Sequence, residues 1–359
     1  MTSMTQQHRR RRVIIGLDTH KFIHVAVALN ADGAVLDSRS VTADSAGYDE
    51  LIDWAAKLGQ EVIFAVEGTG SYGAGVTVAI RGRDLEVVEV SRTDRRDRRL
   101  RGKSDTLDAE NAARAVLAGR ATSVPKAADG IVEMIRQVKV AKDVAVKART
   151  AAMVTLKSVL INAPAELREA LQPLTKMALI HRCAALRPGE VTTVGAASKH
   201  ALRAIARRWL ALDAEIKDHS AVLTELTARI APQLVAAVGL GPDTASDLLI
   251  AAGDNPGRIR SEAAWARLCG VAPIPASSGK TTRHWLHRGG HRQANAALYR
   301  VVVVRMQYHE PTKAYVARRT TEGKAKTEII RCLKRLLARE VWALLRPLRT
   351  AHVQIPVAA

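Results

Sequence analysis

Four acids in this chain are spaced for metal chemistry. Asp18 follows the apolar run Ile14-Ile15-Gly16-Leu17, Glu67 closes the run Val62 to Val66, and Asp105 and Asp108 lie three residues apart at the expected start of a helix. An i, i+3 pair shares one helical face, and neighbouring strand ends would bring the other two acids beside it. Carboxylates gathered in this way repel one another unless cations lie among them, and hard oxygen donors of this kind suit Mg²⁺ or Mn²⁺. Two such ions about 3.5 to 4 Å apart can polarise a phosphodiester and stabilise its attacking and leaving oxygens. Taken singly, each acid also has a structural reading: Asp105 as a helix cap, Asp108 as a solvated first-turn acid, Glu67 as an acceptor for N–H groups of Gly68-Thr69-Gly70. Asp18 is the hardest to read that way, because a charge closing a buried strand needs a strong partner.

A second constellation runs from Gly270-Val271-Ala272-Pro273-Ile274-Pro275 into Ala276-Ser277-Ser278-Gly279-Lys280. It continues through Arg283, His284, His287, Arg288 and Gly289-Gly290-His291-Arg292. A serine hydroxyl among cations that bind phosphate and neutralise developing charge can attack a phosphodiester; a simple Ser-Ser-Gly turn fits the same residues. The scattered histidines, His20 and His24 among them, acquire no functional weight from their spacing. Between the fifth expected strand and Asp105 stand Arg95, Arg96, Arg98, Arg99, Arg101 and Lys103. Such density suits a surface that holds nucleic-acid backbone over the acids, or else a solvated basic loop. In Val238-Gly239-Leu240-Gly241-Pro242, Gly239 and Gly241 sit between helical stretches, where a tight turn can present N–H groups to phosphate as in helix-hairpin-helix elements. A plain glycine turn fits equally.

Positioning these residues requires at least two kinds of structure. After a basic arm, 1–12, the runs Val13 to Leu17, His24 to Leu29 and Ala34 to Val41 predict an antiparallel meander with a turn at Ala31-Asp32-Gly33. Helical spacing follows over Ser45 to Leu58, then a strand at Val62 to Val66, a helix near Ala74 to Arg81, a strand at Leu85 to Val90 and a helix from about Ser104. That order is the one of an RNase H-like α/β domain, assigned to residues 13–125. Residues 126–230 carry no strand pattern and few breakers beyond Pro164, Pro173 and Pro188-Gly189, and predict a helical region. Mixed three and four spacing there suits a coiled-coil arm or an intramolecular bundle, and the arm, which would also dimerise, is the preferred reading. Residues 231–350 predict a mainly α-helical domain carrying the Gly239 turn, the serine loop from Gly270 to Gly290 and basic amphipathic helices from Gln293 to Leu348. A tail, 351–359, closes the chain.

Composition bounds the partners. The 359 residues hold 55 Lys and Arg against 35 Asp and Glu, a formal charge of +20, which gathers polyanions and releases their counterions. Nucleic acid is therefore the expected partner. No apolar run approaches the roughly 20 residues that span a bilayer and no signal-peptide pattern opens the chain, so a cytoplasmic, nucleoid-associated protein is expected. Cys183, Cys269 and Cys332 are far apart and lack paired spacing, which argues against a disulfide framework or a zinc site.

In these residues the chain resembles the DEDD-type transposases of the insertion sequence 110 family, relatives of the Piv invertases and RNA-guided bridge recombinases. The resemblance is carried by Gly16-Leu17-Asp18-Thr19-His20-Lys21, Val66-Glu67-Gly68-Thr69-Gly70 and Lys103-Ser104-Asp105-Thr106-Leu107-Asp108-Ala109. It continues in Val238-Gly239-Leu240-Gly241-Pro242, Gly270-Val271-Ala272-Pro273 with Ser278-Gly279, Gly289-Gly290-His291-Arg292-Gln293-Ala294-Asn295, and Glu322-Gly323-Lys324. These run in the family's order over nearly the whole chain.

The resemblance implies an RNase H-like domain of RuvC type with Asp18, Glu67, Asp105 and Asp108 as its Mg²⁺-binding tetrad. It implies a helical oligomerisation arm and a transposase domain whose nucleophile is Ser278, with Ser277 the alternative if the loop is shifted. It also implies a structured noncoding RNA that pairs with donor and target DNA, and a dimer or tetramer as the working form. The expected reaction is metal-dependent strand cleavage through a covalent phosphoserine, resolved by the hydroxyl of another strand. No high-energy cofactor is needed, and no Walker-type motif is present. The competing expectations are a RuvC-like junction nuclease that uses water and a non-enzymatic nucleic-acid-binding protein.

Overall fold

The computed structural model describes residues 12–90, 104–280 and 284–350. The chain divides into two compact units, Met1–Ala127 and Ala128–Ala359.

In the first unit, β1 (Arg12–Thr19), β2 (Ile23–Asn30) and β3 (Val35–Thr42) form the expected meander, each pair antiparallel. Its second turn is built by Asn30, whose side-chain oxygen accepts the N–H groups of Asp32 and Ala34 around Gly33, at φ 87°. β4 (Glu61–Glu67) then joins β1 in parallel and β5 (Glu86–Val90) joins β4, giving the order β3-β2-β1-β4-β5. This is a mixed α/β sheet, as the sequence predicts.

Side chains alternate across the central strands with the period of two that a pleat imposes. Val13, Ile15, Leu17, Phe64 and Val66 pack against α1 (Ser45–Leu58) and α2 (Ala74–Arg81), while Ile14, Ala65 and Val90 pack against α3 (Asp105–Leu117). Burial on both faces is why β1 and β4 read as unbroken apolar runs. Helix α3 lies unusually close to the sheet. At the contact it presents the small buried residues Ala109, Ala112 and Ala113, and β1 answers with Gly16, where a Cβ would stand 1.9 Å from the Ala109 carbonyl oxygen and 2.8 Å from the Ala113 nitrogen.

In the second unit, α4 (Ile131–Ile161) and α7 (Val194–Ile230) pack side by side, linked by α5 (Ala165–Leu171) and α6 (Lys176–Ala184). Leu156 and Leu160 of α4 share a core with Leu202 and Trp209 of α7, whereas Ile131 and Ile135 share another with Leu223, so the two helices run antiparallel. The breakers Pro164, Pro173 and Pro188-Gly189 all fall in the links between helices. The arm is thus built within one chain.

Beyond it come α8 (Pro232–Val235), α9 (Pro242–Ala252), a 3₁₀ turn at Pro256–Arg258 and α10 (Glu262–Leu268). The unit ends in α11 (Arg292–Tyr308), α12 (Glu310–Thr321), α13 (Lys326–Leu344) and α14 (Arg346–Thr350). Leu248, Trp265, Leu298, Val301, Leu337 and Val341 form its core. The segment expected as a plain loop instead contains a short antiparallel ribbon, β6 (Ile274–Pro275) and β7 (His284–Trp285). Among the described residues no helix is long and apolar enough to cross a membrane. The three cysteines are unpaired, and burial pushes the Cys269 thiol up to about 12, which leaves it inert.

Candidate active site

The close approach of α3 to β1 gathers acids at one end of the sheet. Gly16 faces Ala109, so Asp18, two residues further along the same strand face, points to the side that α3 covers. Asp108, adjacent to Ala109, is buried, and Asp105 stands one turn earlier with its side chain half exposed. On β4, Ala65 belongs to the α3-facing core and alternation puts Glu67 on that face too. The parallel pairing of Leu17 with Val66 makes Asp18 and Glu67 neighbours at adjacent strand ends. Thr19 ties the two ends together, its hydroxyl donating to the Glu67 carbonyl oxygen at 2.9 Å.

Helix α3 is capped by Ser104, whose Oγ accepts the Leu107 N–H at 3.2 Å. Capping therefore does not fall to Asp105, and its carboxylate is available to the cluster.

Histidine 20 joins these acids, which its spacing does not reveal. Its Nε2 lies 3.2 Å from Asp18 Oδ2 and 3.5 Å from Asp105 Oδ1, and the three side chains offer ligand atoms all within 4.8 Å of one another. The turn that carries it is fixed by His24, which accepts the His20 backbone N–H on Nδ1 at 3.3 Å. His24 is fully buried and stacked on Tyr48 at 5.7 Å, and burial pushes its pKa down, which keeps Nδ1 free to accept.

Electrostatically the cluster is strained. Burial pushes the Asp18 carboxyl above its ordinary value, His20 pulls it back, and Asp108 and Asp105 push it up again. A divalent cation relieves both burdens at once, because it replaces lost hydration and screens like charges. The donor set therefore fits such an ion.

In the second unit, Ser277 and Ser278 are exposed on the connection between β6 and β7, directly before Gly279 at φ 55°. Lys280, Arg288 and Arg292 are also exposed on this side of the unit's sequence, Arg292 at the start of α11. Gly239 has a structural reason to be glycine. Its φ is 80°, a Cβ would meet Val301 at 3.4 Å, and Arg305 Nε clamps the turn by donating to the Val238 carbonyl at 2.7 Å. Gly241 caps α9 with open space where a side chain would be. Arg95, Arg96, Arg98, Arg99, Arg101, Lys103 and Arg283 lie outside the described residues.

Comparison with known proteins adds a family. Residues 15–163 match the DEDD transposases of IS110 type, described as transposase, and residues 232–317 match the transposase IS116/IS110/IS902 family. The chain is 26% identical to the insertion element IS116 44.8 kDa protein of Streptomyces clavuligerus, over 97% of this chain and 98% of that one. It is 28% identical to the insertion element IS900 42 kDa protein of Mycobacterium paratuberculosis, over 43% of this chain and 40% of that protein's length.

Proposed function

This chain belongs to the IS110 family of insertion-element transposases, and on that premise we propose that it cuts and rejoins DNA strands with a serine nucleophile and a metal-binding carboxylate cluster. The observation that carries the reading is the approach of Asp18 and Asp105, whose ligand atoms lie within 4.8 Å of each other and of His20, with Asp108 near enough to raise the Asp18 carboxyl and Glu67 on the adjoining strand end. The sheet order β3-β2-β1-β4-β5, with α3 laid on β1, supports an RNase H-like domain of RuvC type.

Asp18, Glu67, Asp105 and Asp108 would hold Mg²⁺ or Mn²⁺, which supplies Lewis-acid polarisation of the scissile phosphate when bound. His20, between Asp18 and Asp105, orients both carboxylates. Ser278 Oγ attacks the phosphorus, giving up its proton as the phosphorus–oxygen bond to one sugar breaks, and that sugar oxygen leaves as a hydroxyl. The ester on Ser278 preserves the phosphodiester until a sugar hydroxyl of another strand attacks it and the serine hydroxyl is restored. Lys280, Arg288 and Arg292, exposed and cationic, would hold the backbone, as would the Arg95 to Lys103 run.

The same reading includes a structured element RNA that pairs with donor and target DNA and an assembly of two or four copies. Supporting it are the formal charge of +20 and the long α4–α7 arm. The test is a denaturing gel of labelled element-end DNA with Mg²⁺ and the element RNA. A covalent adduct is expected, present in Ser277→Ala and lost in Ser278→Ala and Asp18→Ala. Metal-dependent scission with no adduct, unchanged in both serine variants, would overturn it in favour of a nuclease that uses water.

A further inference from the structure

Of the five tryptophans, Trp54, Trp209 and Trp265 are buried and Trp342 is half-buried against the core, but Trp285 is 71% exposed. It stands on β7, paired with Ile274 of β6, so the same ribbon that carries Ser278 presents its ring. Leu286 beside it and Leu336 across from it are about half exposed. An exposed apolar cluster of this kind marks a binding surface.

The ring lines a groove of about 910 Å³ between the ribbon and the helices α12 and α13. Lys324, Arg331 and Lys334 line it as well, and among the described residues none of the three has an acidic partner. Lys334 donates to Asn295 Oδ1 at 2.8 Å, a neutral acceptor. The acid in the groove, Glu328, is turned back to accept the Ala325 N–H at 2.9 Å and caps its own helix. Burial and the charge of Arg331 push the Lys334 pKa down, which an anion in the groove would reverse.

Cations along a concave wall with an exposed ring at its edge are what an unpaired strand needs. Its phosphates meet the cations, and its bases, free of a stacked partner, offer a face to the ring. In a duplex both faces of each base are already covered. We infer that this groove seats an unpaired nucleic-acid strand, with Trp285 as the stacking platform and Lys324, Arg331 and Lys334 at its phosphates, next to the serine connection. The inference rests on the reading of this chain as a nucleic-acid enzyme and names a subsite within it.

The test is fluorescence anisotropy, without divalent metal, on labelled oligothymidylate, oligouridylate and a DNA duplex of matched length. Trp285→Ala is expected to weaken single-strand binding about five- to 160-fold, the usual worth of a base–aromatic stack, while Trp285→Phe retains most of it. Duplex affinity is expected to stay the same. Lys324→Ala with Arg331→Ala is expected to flatten the salt dependence on single strands, by about 0.7 in log–log slope for each phosphate contact removed. A stacking effect on oligothymidylate alone identifies the occupant as DNA and one on oligouridylate alone as RNA. Unchanged single-strand binding in Trp285→Ala, or an equal loss on the duplex, overturns the proposal. Because binding is read without scission, protein that binds in this way yet forms no serine adduct keeps this inference and loses the proposed reaction.

Discussion

A Cβ on Gly16 would stand 1.9 Å from the carbonyl oxygen of Ala109, so β1 and α3 meet backbone to backbone. That contact sets the distance between Asp18 and the two α3 acids. Gly16→Ala must push the helix off the sheet, because neither neighbour is a side chain that can swing away. The expected cost is about 3 kcal/mol, the upper part of the range for overpacked cores. Denaturant unfolding measures it, and a loss below about 1 kcal/mol would mean that α3 is not seated as described.

Removing the Asp18 charge is expected to stabilise the protein when no divalent metal is present. Burial raises this carboxyl above 3.8, and Asp108 and Asp105 add to that against the pull of His20. A raised carboxyl favours the protonated folded state, so its contribution is full below 3.8 and is lost as pH climbs through the folded value. Asp18→Asn escapes this loss and should raise the neutral-pH Tm of chelator-treated protein. Mg²⁺ should then reverse the ranking, since metal at 100 times its Kd adds about 2.7 kcal/mol to the wild type and nothing to a variant that cannot bind it. Equal responses of both proteins to Mg²⁺ would remove Asp18 from the ligand set.

Asp247 is 6% exposed and binds Arg300 on one side, with Lys139 at 3.5 Å on the other. Lys139 is itself buried on α4 and reaches Asp143 at 2.5 Å. Asp247→Ala leaves buried positive charge short of a partner, for which about 3 kcal/mol or more is expected. Replacing Lys139 with Met in the same chain should recover part of it. Double-variant unfolding reads the coupling, and simple additivity of the two changes would show that the residues act independently.

Arg305 joins three parts of the second unit, donating to both oxygens of Glu340 and to the Val238 carbonyl. Hydrogen bonds from Arg305 hold the Glu340 carboxyl below its ordinary 4.5, against the opposing effect of burial. A lowered carboxyl stabilises the fold fully above 4.5 and loses that contribution as pH falls through the folded value. Glu340→Gln should therefore be less stable than wild type at pH 7, with the gap closing as the solution is acidified below 4.5. A gap independent of pH would exclude the ion pair as its source.

Much of the architecture is legible in the chain because local burial imposes local period. The helices Ser45–Leu58 and Ala74–Arg81 fall where the spacing predicts them, and the strands differ from expectation by a residue or two at their ends. The breakers at Pro164, Pro173 and Pro188-Gly189 separate helices as expected, since proline cannot continue one and Gly189, at φ 66°, takes a backbone conformation outside the right-handed helix. The ribbon around Ser278 was not legible: two residues per strand leave no periodic signal.

By itself, then, the sequence carried the family in its ordered motifs, the sheet and helices in their periods, and the expectation of a polyanionic partner in its charge. Only the tertiary structure decided that His20 and not His24 stands among the acids, that Gly16 is a contact point rather than a turn, and that Trp285 alone among the tryptophans is largely exposed. Spacing records which side of its own element a residue occupies. Whether it meets an acid, a backbone or solvent depends on strand register and on how closely two elements approach, and those are set by residues far away in the chain.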